Sequence, residues 1–406
     1  MLAHGMGRSY GDSNLIGGGT SLQSTDHDRF LSFDSQSGIL RAQSGLTLDA
    51  LLRAVVPQGW FSPVVPGTKY VTLGGMVAND VHGKNHHVAG SFGAHVRKIR
   101  LVRSDRPDGV TISPTRHKDL FRRTVGGLGL SGLIDWIEVR LKPIRSAFLD
   151  VENVPYNDLD AFLQLSDESD NWPYTVAWID CFAPESRLGR GIFSRGRFTD
   201  YGALRPHEPP GVKTLPFSLP GFALNRLSIA AFNRLYRWRP GARFHGRAHY
   251  DPFFFPLDGI NNWNRLYGRK GFYQHQSLIP TSAARAGVEA LLRAIRKSGQ
   301  GSFLAVLKKH GAEPSPGLLS FCRRGPGLSL ALDFGNKGQR TLDLLDTLDA
   351  IVLDHGGATY PAKDGRMSPE TFQAAYPEWT EIEANRDPAF QSDFWRRVSQ
   401  TVSPAA

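Results

Sequence analysis

Two glycine-punctuated loops hold the residue types best suited to chemistry. The first, Gly5-Met6-Gly7-Arg8-Ser9-Tyr10-Gly11-Asp12, combines glycines that let backbone approach a ligand with an arginine suited to phosphate. Taken alone it is either a diphosphate cradle or a tight turn with a solvated arginine. The second runs from Pro66-Gly67-Thr68 through Thr72-Leu73-Gly74-Gly75 and Asn79 to His82-Gly83-Lys84-Asn85-His86-His87. Its glycines, hydroxyls, amides and imidazoles supply many donors for a diphosphate and a polar ring system.

His82, His86 and His87 raise the question of a metal. A His-x3-His site needs a regular helix, which Gly83 and Asn85 disfavour, and no carboxylate motif nearby completes a catalytic set. No metal site is expected here. The alternative for His86 and His87 is a place in a surface loop.

These loops need elements to hold them. As far as residue 144 the text alternates short apolar runs with Gly-Gly and Pro-Gly turns, which predicts strands and backbone-lined loops. One helix stands out, Leu48 to Val56, with Thr47 as N-cap and Pro57 as its stop. Farther on, Val288, Leu291, Leu292 and Ile295 predict a helix closed by Gly299, and Ser302 to Leu307 reads as a strand. Leu328 to Phe334 is a second strand, followed by a helix carrying Leu344, Leu345, Leu348 and Val352. The chain ends in aromatic-rich helical text, and no internal repeat is found.

Composition bounds the function. At 406 residues the chain exceeds what one core usually serves, and 40% hydrophobic with 21% charged residues is ordinary globular composition. The excess of 48 basic over 38 acidic residues favours anionic partners. No apolar run of about 18 residues occurs, and Met1-Leu2-Ala3-His4-Gly5 does not resemble a secretory signal, so a cytoplasmic protein is expected. Cys181 and Cys322 are too few for a disulfide framework. No nucleic-acid motif is present, so no nucleic-acid partner is expected.

The glycine loops, with Gly126-Gly127-Leu128-Gly129-Leu130-Ser131-Gly132, resemble the vanillyl-alcohol-oxidase (PCMH) type of FAD-binding domain. Within that superfamily, Gly-Arg-Ser-Tyr-Gly-Asp, His82-Gly83-Lys84-Asn85-His86-His87 and Tyr360 with Ala362-Lys363-Asp364 are similar to the decaprenylphosphoryl-ribose oxidase family. Weaker similarity at Ala177-Trp178-Ile179-Asp180, Trp263-Asn264-Arg265, Gln274-His275-Gln276 and Ser302-Phe303-Leu304 extends the likeness over nearly the whole chain. The resemblance implies an α+β protein: a two-lobed FAD-binding domain over 1–146, a substrate or cap domain over 147–357, and a segment 358–406 returning to the FAD domain. It implies hydride transfer from a sugar hydroxyl, the 2′-hydroxyl of a polyprenylphosphoryl-β-D-ribose, and a short-chain dehydrogenase partner that completes an epimerisation.

Roles follow from the same resemblance. Gly5, Gly7, Arg8, Ser9, Tyr10, Gly67, Thr68, Thr72, Gly74, Gly75, Asn79, His82, Gly83, Asn85, Gly129, Leu133, Ile134 and Lys363 would hold FAD. Gln276, Lys308, Ser329, Ala331 and Tyr360 would meet the substrate. Reduction of a flavin builds negative charge around N1 and the C2 oxygen, and a cation held there lowers the barrier, which points to Lys363. Tyr360 and His82 complete the catalytic candidates. The acceptor of the hydroxyl proton stays open among Lys363, Tyr360, His82 and water.

Three departures qualify the likeness. Arg8 stands where many relatives carry a histidine that tethers the flavin, so non-covalent FAD is expected. Ala331 and Ser329 replace a cysteine and an asparagine of the sugar pocket. A layer that normally precedes the first glycine loop is missing, so the FAD lobe is expected to be truncated at its N-terminus. The run from Arg205 to Arg247 is the least family-like: after Pro206, Pro209, Pro210 and Pro216 it places Leu224, Leu227, Ala231, Leu235 and Trp238 at helical spacing among Arg226, Arg234, Arg237 and Arg239. Such a helix either packs on the domain or lies on the inner face of a membrane. Other functions weighed are an aldonolactone or alditol oxidase, as in the D-arabinono-1,4-lactone oxidases, and a non-catalytic basic nucleotide-binding or nucleic-acid-binding protein.

Overall fold

The computed structural model describes residues 1–209, 213–218, 220 and 224–400; Pro210 of the proline run lies outside them. Two antiparallel sheets dominate. The first has five strands in the spatial order Phe30–Asp34, Ile39–Gln43, Leu133–Arg140, Val96–Arg103, Arg106–Ile112. Leu40, Ala42, Ile99, Leu101, Ile137 and Val139 are buried in one core with Leu48, Leu51 and Leu52 of the first helix. That helix spans Leu48–Val55, with Thr47 Oγ1 accepting the Ala50 N–H at 3.2 Å as its sequence predicts. Pro57 falls in the single 3-10 turn Val56–Gln58 that follows.

The second sheet has eight strands: Phe244–His249, Phe148–Tyr156, Gly191–Phe198, Tyr174–Ile179, Ala305–His310, Gly327–Gly335, Phe272–Pro280 and Ala358–Thr359, in that order. The helices Thr281–Ser298 and Gln339–Asp354 cover one face. Gly299 ends the first of these with φ 68°, a left-handed position that suits glycine. The strand expected from Ser302 begins instead at Ala305. Ser302 Oγ accepts the Leu304 N–H at 3.0 Å and donates to the Leu304 carbonyl at 2.8 Å, closing a local turn that postpones the ladder.

The helix Arg226–Trp238 forms, but not with its leucine stripe inward. Ile229 and Asn233 are the buried positions, while Leu227, Leu235 and Trp238 are 82%, 73% and 78% exposed. Polar contacts decide this: Asn233 Nδ2 donates to Asp180 Oδ1 at 2.9 Å and Arg237 Nη1 to the Gly191 carbonyl at 2.7 Å. Among the described residues no helix is long and apolar enough to cross a membrane. At the C-terminal end, Phe372, Phe394 and Trp395 pack with Leu128 and Leu130 of the third glycine run.

Asp80 joins the second glycine loop to the segment after the Ala305–His310 strand. Its carboxylate is buried and accepts the Gly93 N–H at 2.8 Å and the hydroxyls of Ser315 and Ser320 at 2.5 Å each.

Candidate active site

Strand alternation fixes what the eight-stranded sheet presents on its uncovered face. Ile279, Leu328, Leu330, Leu332, Phe334, Ala305 and Leu307 pack with Val288, Leu291, Leu292, Leu345 and Leu348 of the two covering helices. Their neighbours along each strand must point the opposite way. In register, Lys308 pairs with Ser329, Gln276 with Ala331, and Gln274 with Asp333. Four of the five sequence-predicted substrate residues, Gln276, Lys308, Ser329 and Ala331, therefore share one face, and the same parity adds Gln274 and Asp333. Those two were not among the candidates, although the period of two that carries Ser329 and Ala331 continues to Asp333.

The glycine loops meet this face. His82 forms a lone bridge with Ser91, and both its ring nitrogens are engaged from the sheet: Gln276 Nε2 stands 2.9 Å from Nε2 and Lys308 Nζ 2.5 Å from Nδ1. Lys308 also donates to the Gly83 carbonyl at 2.9 Å. Tyr360 is buried, its hydroxyl donating to the Asn79 carbonyl at 2.8 Å and its ring stacked on Phe321 at 4.7 Å. The Tyr360 N–H donates to the Gln276 carbonyl, also at 2.8 Å, which ties the C-terminal strand into the sheet.

Lys363 ends the short turn Pro361–Lys363, with its Nζ over the Tyr10 ring at 4.0 Å. The first glycine loop is pinned beside it: the Tyr10 N–H donates to the Ala362 carbonyl at 3.0 Å, and a Cβ on Gly11 would lie 1.4 Å from the Asp364 carbonyl oxygen. Only glycine fits there. Gly5 is similarly confined by Thr72 Oγ1, 2.5 Å from where its Cβ would be. Thr72 caps the helix Leu73–Ala78, accepting the Gly75 N–H at 3.1 Å, and Asn79 Nδ2 donates to the Gly75 carbonyl at 2.9 Å. A Cβ on Gly67 would meet nothing within 4 Å, and one on Gly129 only Leu2 Cδ1 at 3.8 Å. The loops thus combine close backbone packing with open space at two glycines, a cradle suited to FAD.

Other candidates lie farther out. Arg8 Nε donates to the Tyr70 carbonyl at 3.2 Å, Thr68 Oγ1 accepts the Tyr70 N–H at 3.2 Å, and Ser9 is half-buried between Arg8 and Tyr10. Gly74 packs on Ser44. Leu133 and Ile134 open the central strand of the five-stranded sheet, opposite Val102 and Leu101. Asn85 is turned away: its Nδ2 donates to the Pro63 carbonyl at 2.8 Å, and it lines a separate cavity of about 410 Å³ with Lys142 and Pro173. His87 points off as well, its Nε2 2.8 Å from the Trp172 carbonyl.

Burial sets the electrostatics. Burial, then the charge of Lys308, holds His82 well below the usual histidine range, so its imidazole is neutral. Burial pushes the Tyr360 phenol well above its ordinary value, which removes it as a base. The Lys308 ammonium is lowered to about 7 and that of Lys363 to about 8, both by burial. Asp333 opposes the shift at Lys363. Burial raises Asp333 to about 6, against hydrogen bonds from Gln274 Nε2 at 2.6 Å and the Tyr267 hydroxyl at 3.1 Å.

Residues 1–112 match the FAD binding domain family. Over 414 residues the chain is 35% identical to the decaprenylphosphoryl-β-D-ribose oxidase of Mycolicibacterium smegmatis, covering 98% of this chain and 89% of the relative. The chain belongs to this oxidase family. It is also 33% identical to a Streptomyces coelicolor protein described as an uncharacterized protein in the mprA 5′ region, over 87% of this chain and all of that one. A D-lactate dehydrogenase of Anaerostipes hadrus is 27% identical over 37% of this chain and 32% of its own length. As a member of the family the protein is an FAD-dependent oxidoreductase acting on a CH–OH group.

Burial raises Asp333 to about 6 and lowers Lys363 to about 8, and the negative charge of Asp333 favours the Lys363 ammonium between those values. Flavin reduction by substrate should therefore slow as pH rises through about 8, where the ammonium is lost. Asp333→Asn removes the charge that favours the ammonium and should move this alkaline limb down by roughly one pH unit. Stopped-flow reduction at saturating substrate across pH 6–10 measures it; an unmoved limb would show that Asp333 does not hold Lys363.

Proposed function

We propose that the protein oxidises the 2′-hydroxyl of a polyprenylphosphoryl-β-D-ribose to a ketone. The observation that carries the reading is the convergence of Gln276, Lys308 and His82 from the sheet and loop with Lys363 and Tyr360 from the C-terminal turn. The oxidase of Mycolicibacterium smegmatis bears decaprenylphosphoryl-β-D-ribose in its name, which supports the substrate class. In this reading residues 1–146 and 358–406 hold the cofactor and 147–357 form the substrate domain.

FAD, when bound, supplies the hydride acceptor at N5. Gly5, Gly7, Ser9, Tyr10, Gly67, Thr72, Gly75 and Gly129 line its cradle, and Lys363 places a positive charge where negative charge develops. Gln276 and Lys308 hydrogen-bond the sugar, while neutral His82 orients both. Tyr360, with its hydroxyl committed to Asn79, shapes the wall. The ketone product calls for a carbonyl reductase of the short-chain dehydrogenase type as the next catalyst.

Lys363→Met keeps most of the apolar stem but deletes the charge. With FAD occupancy matched, anaerobic flavin reduction by polyprenylphosphoryl-ribose should fall about a hundred- to a thousand-fold. Equal rates in variant and parent would remove Lys363 from the chemistry. Bleaching by aldonolactones or alditols, but not by the polyprenylphosphoryl sugar, would overturn the substrate.

Attachment follows from Arg8, whose guanidinium is no nucleophile and rests on the Tyr70 carbonyl. Acid precipitation should release all flavin to the supernatant. Yellow colour or flavin fluorescence retained on the denatured chain would contradict non-covalent binding.

A prenyl-chain substrate must be drawn from lipid, and the helix Arg226–Trp238 offers exposed Leu227, Leu235 and Trp238 beside exposed Arg226 and Arg234. Its role in this reading is peripheral attachment to an anionic bilayer. Co-sedimentation with phosphatidylglycerol vesicles should drop at least about tenfold in Leu235→Glu/Trp238→Glu, with flavin reduction by a short-chain soluble substrate analogue retained. Undiminished sedimentation would place membrane contact elsewhere.

A further inference from the structure

Behind the wall formed by His82, three residues meet that come from separate parts of the chain. His86 opens the single helical turn His86–Ala89, His310 ends the strand Ala305–His310, and Cys322 lies in the turn Phe321–Arg324. All three are buried, and one ligand atom from each lies within 4.8 Å of the other two. The two imidazole rings face one another at 4.1 Å between centroids.

Their hydrogen bonding is incomplete in a way that hydrophobic packing does not explain. His86 Nε2 and His310 Nδ1 are buried without any partner. The remaining nitrogens are used: His86 Nδ1 accepts the Gly311 N–H at 3.2 Å, and His310 Nε2 stands 3.0 Å from Ser329 Oγ. A buried polar atom without a partner costs free energy, and native structures rarely leave two side by side. Two nitrogens and a thiol within one sphere form a donor set for a borderline to soft cation.

We propose that His86, His310 and Cys322 form a metal site for a divalent cation of the zinc class. Binding joins the metal to His310 Nδ1, His86 Nε2 and Cys322 Sγ. The thiol gives up its proton to solvent, and the His86 proton moves from Nε2 to Nδ1. That move ends the long bond from Gly311 and sets the new Nδ1–H against that amide, so the His86 ring and the Gly311 N–H must part; three metal–ligand bonds are set against this cost. Ser329 Oγ, at His310 Nε2, is the outer partner that fixes the ring. The metal would link the His82 loop, the Lys308 strand and the turn after Ser320, which are three walls of the active site. It differs from the trio suggested by spacing, because His87 faces Trp172 and the His82 ring is 6.4 Å from that of His86.

The test uses the FAD-loaded protein produced in zinc-supplemented medium, stripped of loosely held metal by gel filtration over a mild chelator. Elemental analysis should give one zinc per chain, and X-ray absorption at the zinc edge should show one sulfur at about 2.3 Å with nitrogen neighbours at about 2.0 Å. Cys322→Ser and His310→Phe should each lower zinc affinity at least about tenfold with flavin content preserved, while Cys181→Ser changes nothing. Cys181 is the control because its sulfur is already bonded to Ser302. Loss of flavin in a variant would leave the parent spectrum to decide. Less than about a tenth of an equivalent of zinc, or a zinc shell without sulfur, would overturn the site. Flavin reduction by the sugar is read separately, so failure here would leave the oxidase assignment standing.

Discussion

The active site depends on a sheet that must bury both of its faces. One face of the eight-stranded sheet is leucine-rich and sealed by two helices, so the alternation of each strand forces Gln274, Gln276, Lys308, Ser329 and Asp333 onto the other. These polar groups are themselves buried or nearly so. Such a face is tolerable only where its groups find partners, and these come from the second glycine loop, from the Trp263–Tyr267 turn and from neighbouring strands of the sheet itself. His82 answers Gln276 and Lys308, while Tyr267 and Gln274 answer Asp333. A shift of one residue in the Gly327–Gly335 strand would exchange Ser329, Ala331 and Asp333 for Leu328, Leu330 and Leu332 and disrupt both the core and the site.

Close backbone approach is the second requirement. Gly11 against Asp364 and Gly5 against Thr72 leave no room for a side chain, and this lets the first loop lie between the second loop and the C-terminal turn. Asp80 holds the arrangement from beneath, its carboxylate bonded to one backbone amide and two serine hydroxyls. Its backbone sits at φ 41°, a strained position for a residue other than glycine. The three hydrogen bonds offset that strain and explain why an acid occupies the position.

The buried lysines divide by their partners. Lys69 is fully buried and rests 2.7 Å from Asp251, a paired charge of structural use. Lys84 is lowered to about 7 by burial and lies over the Phe253 ring at 4.4 Å, bonded to a backbone carbonyl. Lys308 and Lys363 are also held in the interior by neutral contacts, an imidazole and a carbonyl for one and an aromatic face for the other. Without a full salt bridge to cancel it, the ammonium charge can serve a substrate or a developing negative charge, but burial confines it to the acid side of about 7 for Lys308 and about 8 for Lys363.

What the sequence determined by itself was local or motif-bound. The Thr47 cap, the Gly299 stop, the alternation of residues 328–334 and the helix around Leu344–Val352 depend on neighbours in the chain, and each formed where its pattern placed it. The flavin loops were legible because glycine is demanded by close approach, a requirement written at single positions. The start of the strand at Ala305 was missed because a serine side chain closed a turn first. The outward leucines of the Arg226–Trp238 helix were decided by Asn233 and Arg237 reaching across to another segment. Tertiary structure alone decided which side chains meet: His82 is separated by 194 residues from Gln276 and by 226 from Lys308. Strand order and register set such contacts, and neither is encoded in the spacing of any one segment. For that reason the spacing of His82, His86 and His87 led to no metal site being expected, while His86, His310 and Cys322 became neighbours only when the sheet closed over the loop.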